Sequence, residues 1–163
     1  MKGSQKVIEQ LQTLLESELS AFDQYFIHAR MYADWGLTAL DERITHEAEE
    51  ERLHAQLLID RILFLEAVPN LSKRTDLNIG SDVPSMLKND LEYEYLVADK
   101  LKVAIAVCEQ ESDFQSRQIL LKLLEDTEED HMYWLEQQLG LIDKIGVENY
   151  IQRQMKSSQK ELS

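Results

Sequence analysis

Turn-forming residues are scarce in this 163-residue chain, which holds five glycines and two prolines. Pro69 and Pro84 fall in or just after one central stretch, so the flanking halves are free to run as long uninterrupted helices. A single cysteine, Cys108, excludes an internal disulfide and fits a reducing interior. It follows Ala104 and Ile105 on an apolar stripe, which makes it a packing residue. No apolar run approaches the roughly 18 residues of a membrane span, and the opening Met1-Lys2-Gly3-Ser4-Gln5-Lys6-Val7 lacks the apolar core of a secretory signal. The cytoplasm is the expected location. Positive charge is also short: 17 Lys+Arg stand against 31 Asp+Glu, a net charge of −14. That balance disfavours nucleic acid and anionic membranes and favours cations. The length fits a single domain over residues 1–163 with a sizeable core.

What the chain does have is helical periodicity. Val7, Leu11, Leu14, Leu15, Leu19, Phe22, Phe26 and Ala29 recur at three- and four-residue steps, which predicts a first helix over about 5–34. Trp35-Gly36 makes a turn, and Leu40, Ile44, Leu58, Ile62 and Leu65 mark a second helix over about 38–66. Between Val68 and Asp82 the period disappears among Pro69, Asn70, Ser72, Thr75, Asn78 and Gly80. Neither half could bury its stripe alone, so this stretch reads as a long crossover between two antiparallel helix pairs. Ser81 or Asp82 caps a third helix over about 83–111, with Pro84 tolerated in its first turn. Ser112-x-x-Gln115 suggests a capping box opening a fourth helix over about 113–142. A short amphipathic piece over 147–155 follows. The expected fold is all-α: a four-helix bundle with a long crossover between helices 2 and 3 and a short C-terminal fifth helix.

Two copies of Glu-x-x-His stand out, Glu51-x-x-His54 and Glu128-x-x-His131, and each has a partner glutamate upstream. Glu18 lies 33 residues before Glu51, and Glu94 lies 34 before Glu128. All six residues sit on the apolar stripes. Leu11, Leu14, Glu18, Phe22 and Tyr25 keep one rhythm in the first helix, and Leu87, Leu91, Glu94, Ala98 and Leu101 keep it in the third. An ionised carboxylate buried without a partner costs several kcal/mol or is forced to protonate. Four such acids and two histidines midway along their helices call for a shared compensating charge, which two divalent metals supply. Carboxylates with one imidazole per ion suit iron or manganese rather than structural zinc. Positions three apart on a helix share a face, so each Glu-x-x-His presents both side chains to one centre.

Other polar residues carry weaker signals. His46 and Glu50, one turn apart, fit either a solvated face or an iron-collecting pair, and Glu47 lies on the stripe one turn from Glu51. Tyr25 shares the face of Glu18 and fits core packing or a hydrogen bond to a metal centre. Trp134 and His28 read as structural.

One glutamate from each of two helices plus Glu-x-x-His from each of two others is the known ligand set of ferritin-like di-iron proteins. The chain resembles bacterial ferritins of the bacterioferritin type along nearly its whole length. The resemblance is carried by Asp23-Gln24-Tyr25-Phe26-Ile27-His28-Ala29-Arg30-Met31, Arg61-Ile62-Leu63-Phe64-Leu65-Glu66, Leu77-Asn78-Ile79-Gly80 and Trp134-Leu135-Glu136-Gln137-Gln138-Leu139-Gly140-Leu141-Ile142. It implies that Glu18 and His54 bind one iron, Glu94 and His131 the other, and that Glu51 and Glu128 bridge the two. It also implies a hollow twenty-four-subunit cage of antiparallel dimers that oxidises Fe²⁺ with O₂ or H₂O₂ and stores ferric mineral. Haem in that family is held through a methionine directly after the second-helix glutamate. That position here is Arg52, a guanidinium that cannot ligate iron, and Leu53 offers no lone pair. The resemblance therefore implies a haem-less subunit, which leaves room for a mixed cage with a haem-binding paralogue. The 34-residue spacing in the second half reads as one extra residue near Thr127, with a local helix bulge before Glu128. Two other readings compete: a haem-carrying protein, opposed by Arg52, and a non-catalytic helical assembly protein, opposed by the stripe positions of the acids.

Overall fold

The computed structural model describes residues 1–155. Among them it is all-helical: α1 (Gln5–Asp34), α2 (Thr38–Phe64), α3 (Val83–Gln110), α4 (Phe114–Glu125), a π-helical turn (Asp126–Met132), α5 (Tyr133–Ile145) and α6 (Val147–Gln154). α1 and α2 form one antiparallel pair, and α3 packs against the continuous run of α4, the π turn and α5 to form the other. Gly36 takes φ +75° in the tight turn between α1 and α2, a conformation that favours glycine. No described helix is long and apolar enough to cross a membrane.

Helix starts follow side-chain chemistry. Asp82 caps α3: its carboxylate accepts from the Ser85 N–H at 2.9 Å, and Ser85 Oγ accepts from the Asp82 N–H at 3.1 Å. The expected Ser112-x-x-Gln115 box does not form. Ser112 takes φ 58°, and Asp113 caps α4 by accepting from the Ser116 N–H at 3.0 Å. Arg61 of α2 selects that register, donating to Asp113 at 2.9 Å and to Ser116 Oγ at 2.8 Å.

The crossover is fastened along α1 by side chains spaced one or two helical turns apart. Gln12 exchanges hydrogen bonds with the backbone of Asn70. Ser20 Oγ accepts from the Thr75 N–H at 2.8 Å, Gln24 Oε1 from the Asn78 N–H at 3.0 Å, and His28 Nε2 from the Gly80 N–H at 3.1 Å. Behind this row the buried Asp90 of α3 accepts from Gln24 Nε2 at 2.8 Å and lies 2.9 Å from His28 Nδ1. His28 and Gln24 are thus structural, and so is Gly80: a Cβ there would sit 2.5 Å from the Met86 backbone nitrogen.

The apolar core comes in two parts. One cluster is built on Tyr25, Tyr32, Leu40, Ile44, Met86, Leu87, Leu135, Ile142 and Tyr150, and the other on Leu11, Leu14, Leu15, Leu58, Ile62, Leu65, Leu101, Cys108, Leu120 and Leu123. Between them every bundle helix interrupts its stripe with polar residues.

Candidate metal centre

The polar layer between the two clusters is built from Glu18 of α1, Glu51 and His54 of α2, Glu94 of α3 and His131 of the π turn, all buried. Leucines, valines and alanines above and below exclude water from it and lock the backbone that carries it. The two imidazole rings lie nearly parallel, 5.9 Å apart between centroids with planes at 19°. The Glu51 carboxylate sits between them: Oε1 is 2.8 Å from His131 Nδ1, and Oε2 is 3.4 Å from His54 Nδ1. Glu18 lies outside on the His54 side, 3.7 Å from Nδ1, and Glu94 outside on the His131 side, 3.3 Å from Nδ1. Glu94 also accepts a hydrogen bond from the Tyr25 hydroxyl.

Two overlapping ligand groups result: Glu18, Glu51 and His54, and Glu51, Glu94 and His131, each with donor atoms within 4.8 Å of one another. Both oxygens of Glu18 and Nδ1 of His54 are buried without a hydrogen-bond partner. Buried atoms of this kind are costly unless something else satisfies them. A pair of hard divalent cations, each taking carboxylate oxygen and one imidazole nitrogen, fits this donor set, and iron or manganese suits it best.

The acids and histidines of the layer shift one another's protonation. Burial pushes the Glu18 carboxyl well above the usual range, and the negative Glu51 beside it adds to the shift. Burial works against ionised Glu51 too, but contacts with Glu18, His131 and His54 outweigh it and hold its carboxylate well below the usual range. Burial likewise opposes a charged His54, yet Glu18 and Glu51 raise it to about 11. His131 is raised well above its ordinary value against the same penalty by Glu94, Glu47, Glu50 and Glu51. Glu94 is raised by burial and by Glu51, with His131 and Tyr25 opposing.

Glu128, expected as the second bridge, is not in this layer. Its side chain is 38% exposed and pairs with Lys102 Nζ at 3.0 Å, while Thr127 is buried. The extra residue is absorbed as the π turn. In an α-helix, positions three and four apart share a face; the wider i→i+5 turn shifts that pairing to four and five apart. Thr127 therefore accompanies His131 inward, and Glu128 rotates out.

Three residues without a sequence signal complete the surroundings. Asp126 Oδ2 lies 3.1 Å from His54 Nε2. Asp130, with Glu47, Glu50 and His131, forms a further group of metal-ligand type, in which His131 Nε2 lies 2.7 Å from Glu47 and 2.6 Å from Glu50. Arg43 bridges Glu47 at 2.6 Å and Asp130 at 2.8 Å and stacks over the Trp134 ring at 4.7 Å. His46 pairs with Glu50 at 3.0 Å on the exposed side. Arg52 is exposed and pairs with Glu49.

Residues 8–145 match the family model described as the ferritin-like domain. A Synechocystis protein named bacterial ferritin is 61% identical over 155 residues, covering 95% of this chain and 99% of the relative. A Pseudomonas aeruginosa bacterial ferritin is 55% identical, covering 95% of this chain and all of the relative. A bacterioferritin of Mycolicibacterium paratuberculosis is 40% identical over 92% of the chain and 94% of its own length. With the all-helical bundle and its carboxylate–histidine layer, these matches establish that the chain belongs to the ferritin family, among the bacterial ferritins.

Proposed function

We propose that the protein stores and detoxifies iron, oxidising Fe²⁺ at the centre between the two apolar clusters and keeping the ferric product as mineral inside an assembled shell. Fe²⁺ is the substrate. Two ions give up one electron each to O₂, which takes two protons and becomes H₂O₂, or to H₂O₂, which takes two protons and becomes two waters. The observation that carries this reading is the Glu51 carboxylate held between two parallel imidazoles, with Glu18 and Glu94 at the outer ends. Glu51 is the shared anion, Glu18 with His54 the donors at one position, and Glu94 with His131 those at the other. The Tyr25 hydroxyl orients Glu94. Glu47, Glu50 and Asp130 gather around His131, with His46 paired to Glu50.

The shell is a homo-oligomeric, twenty-four-subunit cage of antiparallel dimers in the cytoplasm, and a mixed cage with a haem-binding paralogue fits equally. The dimer face is the α1–α2 side, where Phe26, Leu53, Leu57 and Phe64 are exposed. Arg52 on that side cannot ligate haem, so homogeneous protein is expected to lack the intense Soret band; stoichiometric haem would favour the haem-carrying alternative.

Stopped-flow oxidation at two Fe²⁺ per subunit tests the site. The wild type should show a fast phase that saturates at that ratio. His54→Ala and His131→Ala should each slow it at least about tenfold, by analogy with the 10–100-fold cost of losing even an outer-shell partner. Unchanged rates in both variants would refute the assignment.

A further inference from the structure

Asp126 lies behind His54, on the side away from the other ligands. His54 turns Nδ1 toward the centre, 3.4 Å from Glu51 and 3.7 Å from Glu18, and that nitrogen has no hydrogen-bond partner. The opposite nitrogen, Nε2, lies 3.1 Å from Asp126 Oδ2. The other Asp126 oxygen accepts from Lys122 Nζ at 2.9 Å, one helical turn earlier. The carboxylate is thus held at both ends, by an imidazole edge on one oxygen and an ammonium on the other. A neutral imidazole carries one N–H and one lone pair, and an acceptor fixed at one nitrogen leaves the lone pair on the other.

The π turn is what brings Asp126 here. Asp126 precedes His131 by five residues, the spacing that an i→i+5 turn stacks on one side. One widened turn thereby serves both halves of the centre, with His131 itself for one position and a backing carboxylate for the histidine of the other.

We propose that Asp126 is a positioning residue for His54: it accepts the Nε2–H, fixes the tautomer with its lone pair on Nδ1, and aims that nitrogen at the metal position shared by Glu18 and Glu51. The inference rests on the metal-centre reading above. His131 does not depend on Asp126, because its own Nε2 is backed by Glu47 and Glu50. Removing Asp126 should therefore injure one position and spare the other.

Co²⁺ titration of the assembled full-length protein, followed by absorbance and calorimetry, reads the two positions without redox chemistry. Wild type should take up two Co²⁺ per subunit. Asp126→Ala should weaken one of the two by about 10–100-fold, the usual cost of an outer-shell partner, and leave the other as in wild type. Asp126→Asn, whose amide oxygen still accepts an N–H, should restore most of the loss. Lys122→Ala should give a smaller loss confined to the same position. A merely structural role would instead weaken both positions together, with a lower melting temperature and no rescue by Asn. Two wild-type-like Co²⁺ sites in Asp126→Ala, or equal weakening of both, would overturn the role of Asp126 alone. Wild-type protein that takes up no Co²⁺ would overturn the metal-centre reading and this role with it.

Discussion

Metal binding to this protein should release protons and should strengthen steeply with pH. His54, raised to about 11, holds a proton that a ligand set must shed, and the upward shifts of His131 and Glu18 favour further protons there. One proton shed at the His54 position makes the apparent affinity there rise about tenfold per pH unit, or about 1.36 kcal/mol, and each further proton shed steepens the rise. The effect on stability has opposite signs with and without metal. All three folded values lie above the unfolded ones, so in metal-free protein their contribution is complete below pH 4.5 for Glu18 and below pH 6.5 for the histidines. It is lost as pH rises toward the folded values. Metal-loaded protein, whose ligands carry no protons, gains until the unfolded chain has shed its own near pH 6.5 and is level above that, so the two melting curves should separate as pH increases. At a hundredfold excess of Co²⁺ over Kd each position contributes about 2.7 kcal/mol, which for a chain of this size raises Tm by about 5–10 °C. Calorimetric Co²⁺ titrations in buffers of different ionisation enthalpy count the protons directly. Affinity that stays flat between about pH 6 and 8, or binding with no proton release, would refute the reasoning.

Replacing the shared anion and replacing the outward acid should have unlike effects. Glu51→Gln keeps the volume but removes the charge between the two imidazoles, and should slow fast Fe²⁺ oxidation by more than the roughly 100-fold upper range of outer-shell losses; Glu128→Gln removes only an exposed pairing with Lys102 and should stay near wild type in the same stopped-flow assay. Gly80→Ala drives a Cβ against the Met86 backbone and should cost about 1–3 kcal/mol of overpacking, seen as a lower melting temperature of metal-free protein. A neutral result there would mean that the crossover is not held as close to α3 as described.

The bundle was legible because its signals are redundant. Scarce glycine and proline, four apolar stripes and one aperiodic stretch all require the same two helix pairs. The positions of Glu18, Glu51, His54 and Glu94 were legible for the same reason: acids and a histidine in step with leucines have nowhere to go but inward. Glu128 was not, because the stripe argument assumes α-helical pitch throughout. The 34-residue spacing hinted at an inserted residue without saying how the helix would absorb it. A π turn re-phases every residue within it, so Thr127 turned in, Glu128 turned out, and Asp126 came to rest beside His54. The capping of α4 was misread for a related reason. Local pattern favoured Ser112, but Arg61, far away in sequence, pairs with Asp113 instead.

The crossover has one more consequence. A segment without secondary structure ordinarily exchanges its amide hydrogens almost as fast as a free peptide. Here the Thr75, Asn78 and Gly80 amides are bonded to side chains spaced along a single helix, Ser20, Gln24 and His28, all three buried. Such amides open only when α1 lets go, so their exchange should follow that of the helix rather than that of a loop. The docked strap also sets how far one helix pair can slide past the other. Three of the ligand residues, Glu18, Glu51 and His54, ride on one pair and two, Glu94 and His131, on the other, so the strap acts as a ruler between them, fixed by contacts between residues more than fifty apart in sequence.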